Sequence, residues 1–251
     1  LRSLVGSEMC IRDRYYFSIN DNGFRIFCSQ ATGRILVAAT LVDIEGLDGS
    51  GKTTAIKTLC SALREMGFRV LETREVGSQH VPFAFKLREI VLDPANKLDG
   101  TTMELLFAAM RIESQKEYSK LSSEYDFIVS DRGYLSHLAY TDHNVSEEFT
   151  KDFYLTLLSK YLPAKPNHVL YLSVDPEVAL QRRIRRGEIP DAIEIKGVEF
   201  QAMVGQSFKK YAQQEMEHID VSIIDANKTA EEVRSMVLDY ASFLARGKVM
   251  S

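Results

Sequence analysis

Residues 45–54 read EGLDGSGKTT, and the residues before them, Ile35–Ile44, form the apolar run ILVAATLVDI. From Gly46 to Thr53 the segment satisfies G-x-x-x-x-G-K-[ST] at every position. An apolar run that ends in glycine reads as a central parallel strand covered on both faces. Thr53–Met66 reads as a helix stopped by Gly67 at the C′ position. Strand, glycine loop and helix in this order make a phosphate-binding loop. The glycines let the backbone curl so that successive amides, across Gly46, Asp48, Gly49, Ser50, Gly51 and Thr54, face phosphate oxygens. The positive end of the following helix adds to this. Lys52 is then the bridge between the β- and γ-phosphates of ATP, and the Thr53 hydroxyl a ligand to Mg2+. The alternative is a purely structural glycine turn, and the flanking strand and helix argue against it.

Downstream the chain alternates short apolar runs with helical periods. Strands are expected at Phe68–Thr73, Asp126–Ser130, His168–Val174 and Val221–Asp225. Helices are expected at Phe83–Leu92, Thr101–Leu121, Tyr134–Tyr140, Glu147–Lys160 and Thr229–Ala245. In the long helix Leu105, Leu106, Ala109 and Ile112 share one stripe. In the last, Thr229 and Glu232 form a reciprocal capping pair. Repeated strand–helix alternation implies an α/β domain of the P-loop NTPase fold, with a five-stranded parallel sheet, helices on both faces and a lid. One domain, residues 35–251, accounts for the pattern.

Residues 1–34 show no sustained period, and SLVGSEMCIRDR (residues 3–14) resembles translated sequencing-adapter sequence. They are expected to be a non-native extension or a disordered arm, and intact-mass measurement separates the two. The formal charge of −4 gives no broad basic surface for a nucleic-acid polymer. Positive charge concentrates instead at Arg182–Arg186, where it can meet a compact anion or lie solvated along a helix. Cys10, Cys28 and Cys60 show neither paired nor metal-ligand spacing, which suits a reducing cytoplasm. The longest apolar run, Ile35–Val42, is too short to span a bilayer, and no signal peptide is recognised.

A GTPase needs a guanine-reading N-K-x-D, and Asn227-Lys228-Thr229-Ala230 lacks its acid. A large ATPase motor needs more chain than is present. What remains is a small phosphotransferase with a second phosphate pocket. Here the motifs from Leu36 to Ala245 resemble the thymidylate kinase family, in the family's order. EGLDGSGKTT is followed by Thr73-Arg74-Glu75, similar to T-R-E-P-G-G, and by Glu104–Arg111 (ELLFAAMR), similar to E-L-L-F-x-A-x-R. Asp131-Arg132, Ser136 and Ala139-Tyr140 resemble D-R-[YH]-x-x-S-x-x-A-Y. Ala179–Gly187 with Asp191 and Glu194 resembles the lid, and Ile224–Asn227 the turn beside adenine.

The resemblance implies ATP-dependent phosphorylation of dTMP to dTDP, with Mg2+. Phe107 would stack on thymine, and Arg111, one turn on, would donate to a base oxygen. Each has a plainer reading, a core phenylalanine and a surface arginine. Arg74 and Arg132 would hold the monophosphate. Tyr140 would pack on the sugar and favour deoxyribose, or serve only as a core tyrosine. Asp48 would hold a sugar hydroxyl or metal-bound water, and Asp131 would orient a water on Mg2+; the plainer reading of each is a capping or ion-pairing acid. No general base is required, because the attacking phosphate oxygen is already ionised; the obstacle is bringing two anions together. The loop positions Leu47–Ser50 carry no arginine, so the lid must supply it, with Arg182 and Arg186 fitting the pattern best among Arg182, Arg183, Arg185 and Arg186. Members of the family commonly dimerise, and Thr101–Leu121 is the candidate helix.

Departures gather on the acceptor side. Val76 replaces the proline of R-E-P, Ser78 the second glycine, Gly133 the Tyr or His after D-R, and Ala192 the arginine of D-R-x-E. His137 stands where relatives often face the base edge; it can read N3/O4 of thymine or a modified base, or face solvent. Two other functions stay open: phosphorylation of another deoxynucleoside monophosphate or of a deoxynucleoside, and a non-catalytic nucleotide-binding module.

Overall fold

The computed structural model describes residues 16–19, 25–28, 35–145, 165–187, 190–214 and 219–250. Strands β1 (Tyr16–Ile19), β2 (Arg25–Cys28) and β3 (Ile35–Val37) pair antiparallel in a small sheet of their own. At three or four residues each they are too short to impose a period on the sequence, which is why none is visible there. The run Ile35–Ile44 is therefore not one strand. It breaks after Val37, and Thr40–Glu45 (β4) begins a second sheet. Hydrophobicity is continuous across the break, but the hydrogen-bond partner changes.

The second sheet is all parallel, in the order β5-β6-β4-β7-β8, with β5 at Val70–Arg74, β6 at Phe127–Asp131, β7 at His168–Ser173 and β8 at Asp220–Asp225. The five strands and their parallel pairing agree with the sequence reading; the ends of β5, β6, β7 and β8 are displaced by at most two residues, and β4 starts five residues later than the apolar run. Helix α1 (Lys52–Glu65) carries the chain outward from β4 to edge strand β5. Helices α2 (Pro82–Leu92) and α3 (Gly100–Leu121) bring it back to β6. Right-handed crossovers in opposite directions put α1 and α3 on opposite faces. Helices α4 (Tyr134–Asn144), α5 (Pro176–Arg186) and α6 (Gly197–Gln213) follow the direction of α3, and α7 (Ala230–Met250) packs on α1. The expected helix Glu147–Lys160 lies outside the described residues. Helix α6 has no counterpart in the sequence reading, although Phe200, Val204, Phe208 and Tyr211 recur at helical spacing and are all buried.

The face that α3 buries differs from the expected stripe. Leu105 is 40% exposed, and Leu106, Ala109 and Ile112 are only half-buried. The inward face carries Met103, Glu104, Ala108, Arg111, Ser114 and Tyr118 instead. Apolar periodicity misreads this helix because its inner side lines a polar cavity. The Thr229–Glu232 pair forms as expected: the Glu232 amide donates to Thr229 Oγ1 (3.3 Å), and the Thr229 amide donates to Glu232 Oε2 (3.0 Å).

Register sets up the site. Ile44 lies opposite Asp131 on one side, and Asp131 lies opposite Arg74 on the other. The phosphate loop, the β6 end and the β5 end therefore open at one edge, with β4 between β6 and β7, where the chain order reverses. That is where open parallel sheets bind ligands.

Candidate active site

The loop after β4 wraps the ammonium of Lys52, which donates to the Gly46 and Leu47 carbonyls (3.0 Å each) and lies 3.5 Å from Asp48 Oδ1. Burial and the neighbouring Arg132 lower the pKa of Lys52, while Asp48, Asp131 and Glu45 act to keep it charged. Gly49 has φ +95°, and a Cβ there would lie 2.3 Å from the Ala179 carbonyl of α5. A side chain at 49 would meet both a strained backbone and the helix that carries the lid arginines. Gly51, with φ +96°, starts α1.

A cavity of about 390 Å3 opens above the loop. Asp48, Gly49, Gly51, Lys52, Thr53 and Thr54 form its floor, and six arginines reach it: Arg74, Arg88, Arg132, Arg182, Arg185 and Arg186. Gly46 and the buried Ser50 complete the loop from behind. So dense a cationic wall, at a row of backbone amides, is arranged for a polyphosphate and a second phosphate facing it. Asp131 also lines the cavity, with its Oδ1 buried and without a hydrogen-bond partner among the described residues. An orphaned carboxylate oxygen near a threonine hydroxyl fits a hydrated Mg2+ held mainly by phosphate and water. Among the described residues no group of three or more His, Cys, Asp or Glu side chains forms an ion cage of its own.

The lid arginines divide. Arg182 Nη1 donates to the Ala226 carbonyl (2.8 Å) after β8, so it links the cavity to the turn beyond that strand. Arg183 Nε is paired with Glu194 Oε1 at 3.0 Å. Arg185 and Arg186, at the C-terminal end of α5, line the phosphate cavity.

A second cavity of about 90 Å3 adjoins the first and shares Asp48, Glu75, Arg88 and Arg132 with it. Its own walls include Phe107, Arg111, His137 and Tyr140. Arg132 is the hinge between the two. Its guanidinium donates to Asp48 Oδ1 (2.6 Å), to the Gly46 carbonyl (3.1 Å) and to Ser136 Oγ (3.0 Å), and lies 5.3 Å from the Tyr140 ring centroid. Burial alone would raise the Asp48 pKa, but Arg132 and Lys52 outweigh it and hold the carboxyl well below the usual range.

Arg111 is no surface arginine: it is 3% exposed, its Nε sits 2.6 Å from Glu75 Oε2, and its Nη2 donates to the Gly133 carbonyl (2.7 Å). His137 does not face solvent either, being 4% exposed. Burial and then the Arg111 charge push its pKa well below the ordinary value, so the imidazole is neutral at pH 7. Phe107 is half-buried in the cavity wall, which separates it from a fully packed core residue.

The structure adds residues that the sequence reading passed over. Arg88 of α2 lines both cavities and donates to the Val76 carbonyl (2.9 Å). Glu45, the first residue of EGLDGSGKTT, accepts from the Ser136 amide (2.9 Å) and its hydroxyl. The Glu75–Val76 peptide is cis. Nothing in the local sequence around Arg88 marks it; only its place in the walls of both cavities does.

Comparison with known proteins agrees with this geometry. A family model described as thymidylate kinase matches residues 44–237. The chain is 33% identical over 200 residues to a thymidylate kinase of Symbiobacterium thermophilum, covering 78% of this chain and 89% of that one. It is 34% identical over 191 residues to one of Caldicellulosiruptor saccharolyticus (75% and 89%) and 32% identical over 201 residues to one of Vibrio vulnificus (78% and 91%). The chain therefore belongs to the thymidylate kinase family.

Proposed function

We propose that the chain transfers the γ-phosphate of ATP to the phosphate of dTMP, giving dTDP and ADP. The observation that carries this is the pair of adjoining cavities that share Asp48 and Arg132. One has the amides and cations for a triphosphate, and the other has Phe107 and Tyr140 to take a base and a sugar. In this reading the loop from Gly46 to Thr54 holds the ATP phosphates, and Lys52 spans the β- and γ-groups. Arg74, Arg88 and Arg132 hold the acceptor phosphate, and Arg186 and Arg182 neutralise charge as it shifts from donor to acceptor. Mg2+, when bound, would neutralise the triphosphate, with Thr53 and Asp131 as its nearest protein groups. His137 and Arg111 line the base edge, and Asp48 orients Arg132 and Lys52.

No side chain has to remove a proton, so catalysis rests on alignment and charge. A nucleoside kinase would need a base beside a neutral 5′-hydroxyl. Glu75, the carboxylate best placed for that, is committed to Arg111 at 2.6 Å, which speaks against it.

Among the described residues no helix is long and apolar enough to cross a membrane. We assign the reaction to the cytoplasm, where ATP is abundant, and note that Cys60 is buried with its thiol pushed up to about 12. A homodimer is proposed through α2 and α3. These pack together, yet leave Phe83 57%, Ile90 53% and Leu105 40% exposed.

The test is a coupled assay of ADP release across deoxy- and ribonucleoside monophosphates, with thymidine alongside. The expected result is fastest turnover with dTMP. Phosphorylation of thymidine alone would overturn the reading.

A further inference from the structure

The middle of β4 carries a carboxylate that the phosphate chemistry does not use. Asp43 is 3% exposed and lies on the same face of the strand as Glu45. A carboxyl in such a place is costly unless it is hydrogen-bonded. Its Oδ2 accepts from the backbone amide of Tyr134 at 2.9 Å, the first residue of α4. The residue at the N-cap of that helix is Gly133, which has no side chain to satisfy the first-turn amides. Asp43 supplies from a strand what the helix lacks locally.

The fit is reciprocal. A Cβ on Gly133 would lie 1.9 Å from Asp43 Oδ2 and 2.1 Å from its Cγ. The carboxylate already fills the space that a Cβ at this position would need. The same turn is held from other sides. The Gly133 carbonyl accepts from Arg111 Nη2 (2.7 Å), the Arg132 amide donates to the Ile44 carbonyl (2.9 Å), and the Ser136 amide donates to Glu45 Oε1 (2.9 Å). Within this clamp Arg132 takes φ +69°, a left-handed conformation that residues with a Cβ seldom adopt.

We propose that Asp43 is a positioning residue matched to Gly133, capping α4 and holding the 131–134 turn so that Arg132, His137 and Tyr140 face the acceptor nucleotide. The proposal rests on the acceptor-site reading given above. Burial, with Glu45 and Glu75 nearby, pushes the Asp43 carboxyl well above the usual range. Asparagine, a neutral isostere that keeps an acceptor oxygen, is therefore its conservative replacement.

The experiment is a double-mutant cycle on Asp43→Ala, Gly133→Ala and the two combined, with Asp43→Asn as control. For each, dTMP and ATP are varied in turn, a fluorescent ATP analogue is titrated, and the melting temperature is taken. Gly133→Ala is expected to raise the KM for dTMP at least ~10-fold, since small misplacements of binding groups cost about that or more. Asp43→Asn should stay within ~3-fold of wild type and Asp43→Ala should exceed it, as expected for a lost cap. The double variant should fall closer to wild type than Gly133→Ala, because the new methyl takes the room of the carboxylate. Affinity for the ATP analogue should hold within ~2-fold throughout, by the independence of separate sites.

A Gly133→Ala enzyme equal to wild type, or additive effects in the double variant, would overturn the pairing. So would equal losses for Asn and Ala at position 43, or KM values for dTMP and ATP rising together with a fall in melting temperature. Should Gly133→Ala fail to fold, a folded double variant supports the pairing and an unfolded one sinks it. If the wild-type chain does not phosphorylate dTMP, the function falls alone, and the non-additivity of the melting temperatures still decides the Asp43–Gly133 match.

Discussion

Arg183 and Arg186 stand three residues apart on α5 and have different fates. Arg183 is spent on Glu194 at 3.0 Å, whereas Arg186 lines the phosphate cavity. Replacing Arg186 by alanine is expected to lower kcat at least ~10-fold in the ADP-release assay, in line with arginine-finger effects. An unchanged rate would move the role to Arg185, which lines the same cavity. His137 offers a test of a different kind. Burial and Arg111 keep its imidazole neutral in the folded chain, while the unfolded chain takes up a proton below the ordinary value of 6.5. Folding stability therefore falls as pH drops through that value, by up to about 1.4 kcal/mol per pH unit for each such histidine. His143 and His168 shift in the same direction, led by burial, and add smaller shares because solvent screens their part-exposed rings. Denaturant unfolding between pH 7 and 5 should show a shallower loss in His137→Gln than in wild type. Neither the split between the arginines nor the burial of His137 was legible from the residues. A run of arginines on one helix, and a histidine in the first turn of another, look alike whether their partners are solvent or a cavity wall.

Helix α3 shows how an element inside a binding site defeats periodicity. The sequence supports the helix and nearly its ends, since Asp99 accepts from the Thr102 amide at 3.0 Å and Leu121 closes the last turn. The inward face escapes it, because Glu104 and Arg111 are buried beside Phe107 to shape the acceptor cavity. The leucine side is turned outward, which suits a partner helix. Leu105→Glu is expected to shift a dimer to monomer in sedimentation velocity, and a dimer that persists would place the interface elsewhere. Helix α7 behaves in the opposite way: its capping box was readable because donor and acceptor lie three residues apart. Thr229→Ala should lower stability by about 1 kcal/mol, read by denaturant melts, with turnover unchanged.

For the whole molecule, the family match and the parallel sheet share nearly one starting point. The family match begins at residue 44, and the parallel sheet begins at Thr40. Among the described residues, the small sheet of β1, β2 and β3 is separate from the parallel sheet. Removing residues 1–34 is expected to leave kcat and the melting temperature near those of the full chain; a clear drop in either would make the segment part of the working enzyme. The phosphate loop, the parallel α/β order, the family and the pool of arginines are legible in the residues alone. All of these are local or ordered signals, carried by neighbouring residues or by alternation along the chain. Tertiary packing alone sets which arginines line the cavity above the loop, Arg88 among them, the pairing of Arg111 with Glu75, and the contact of Asp43 with the Tyr134 amide 91 positions away. Those pairings arise where strand register and helix packing bring distant groups within hydrogen-bond reach. The opening motif EGLDGSGKTT sets where phosphate binds, and the fold sets what surrounds it.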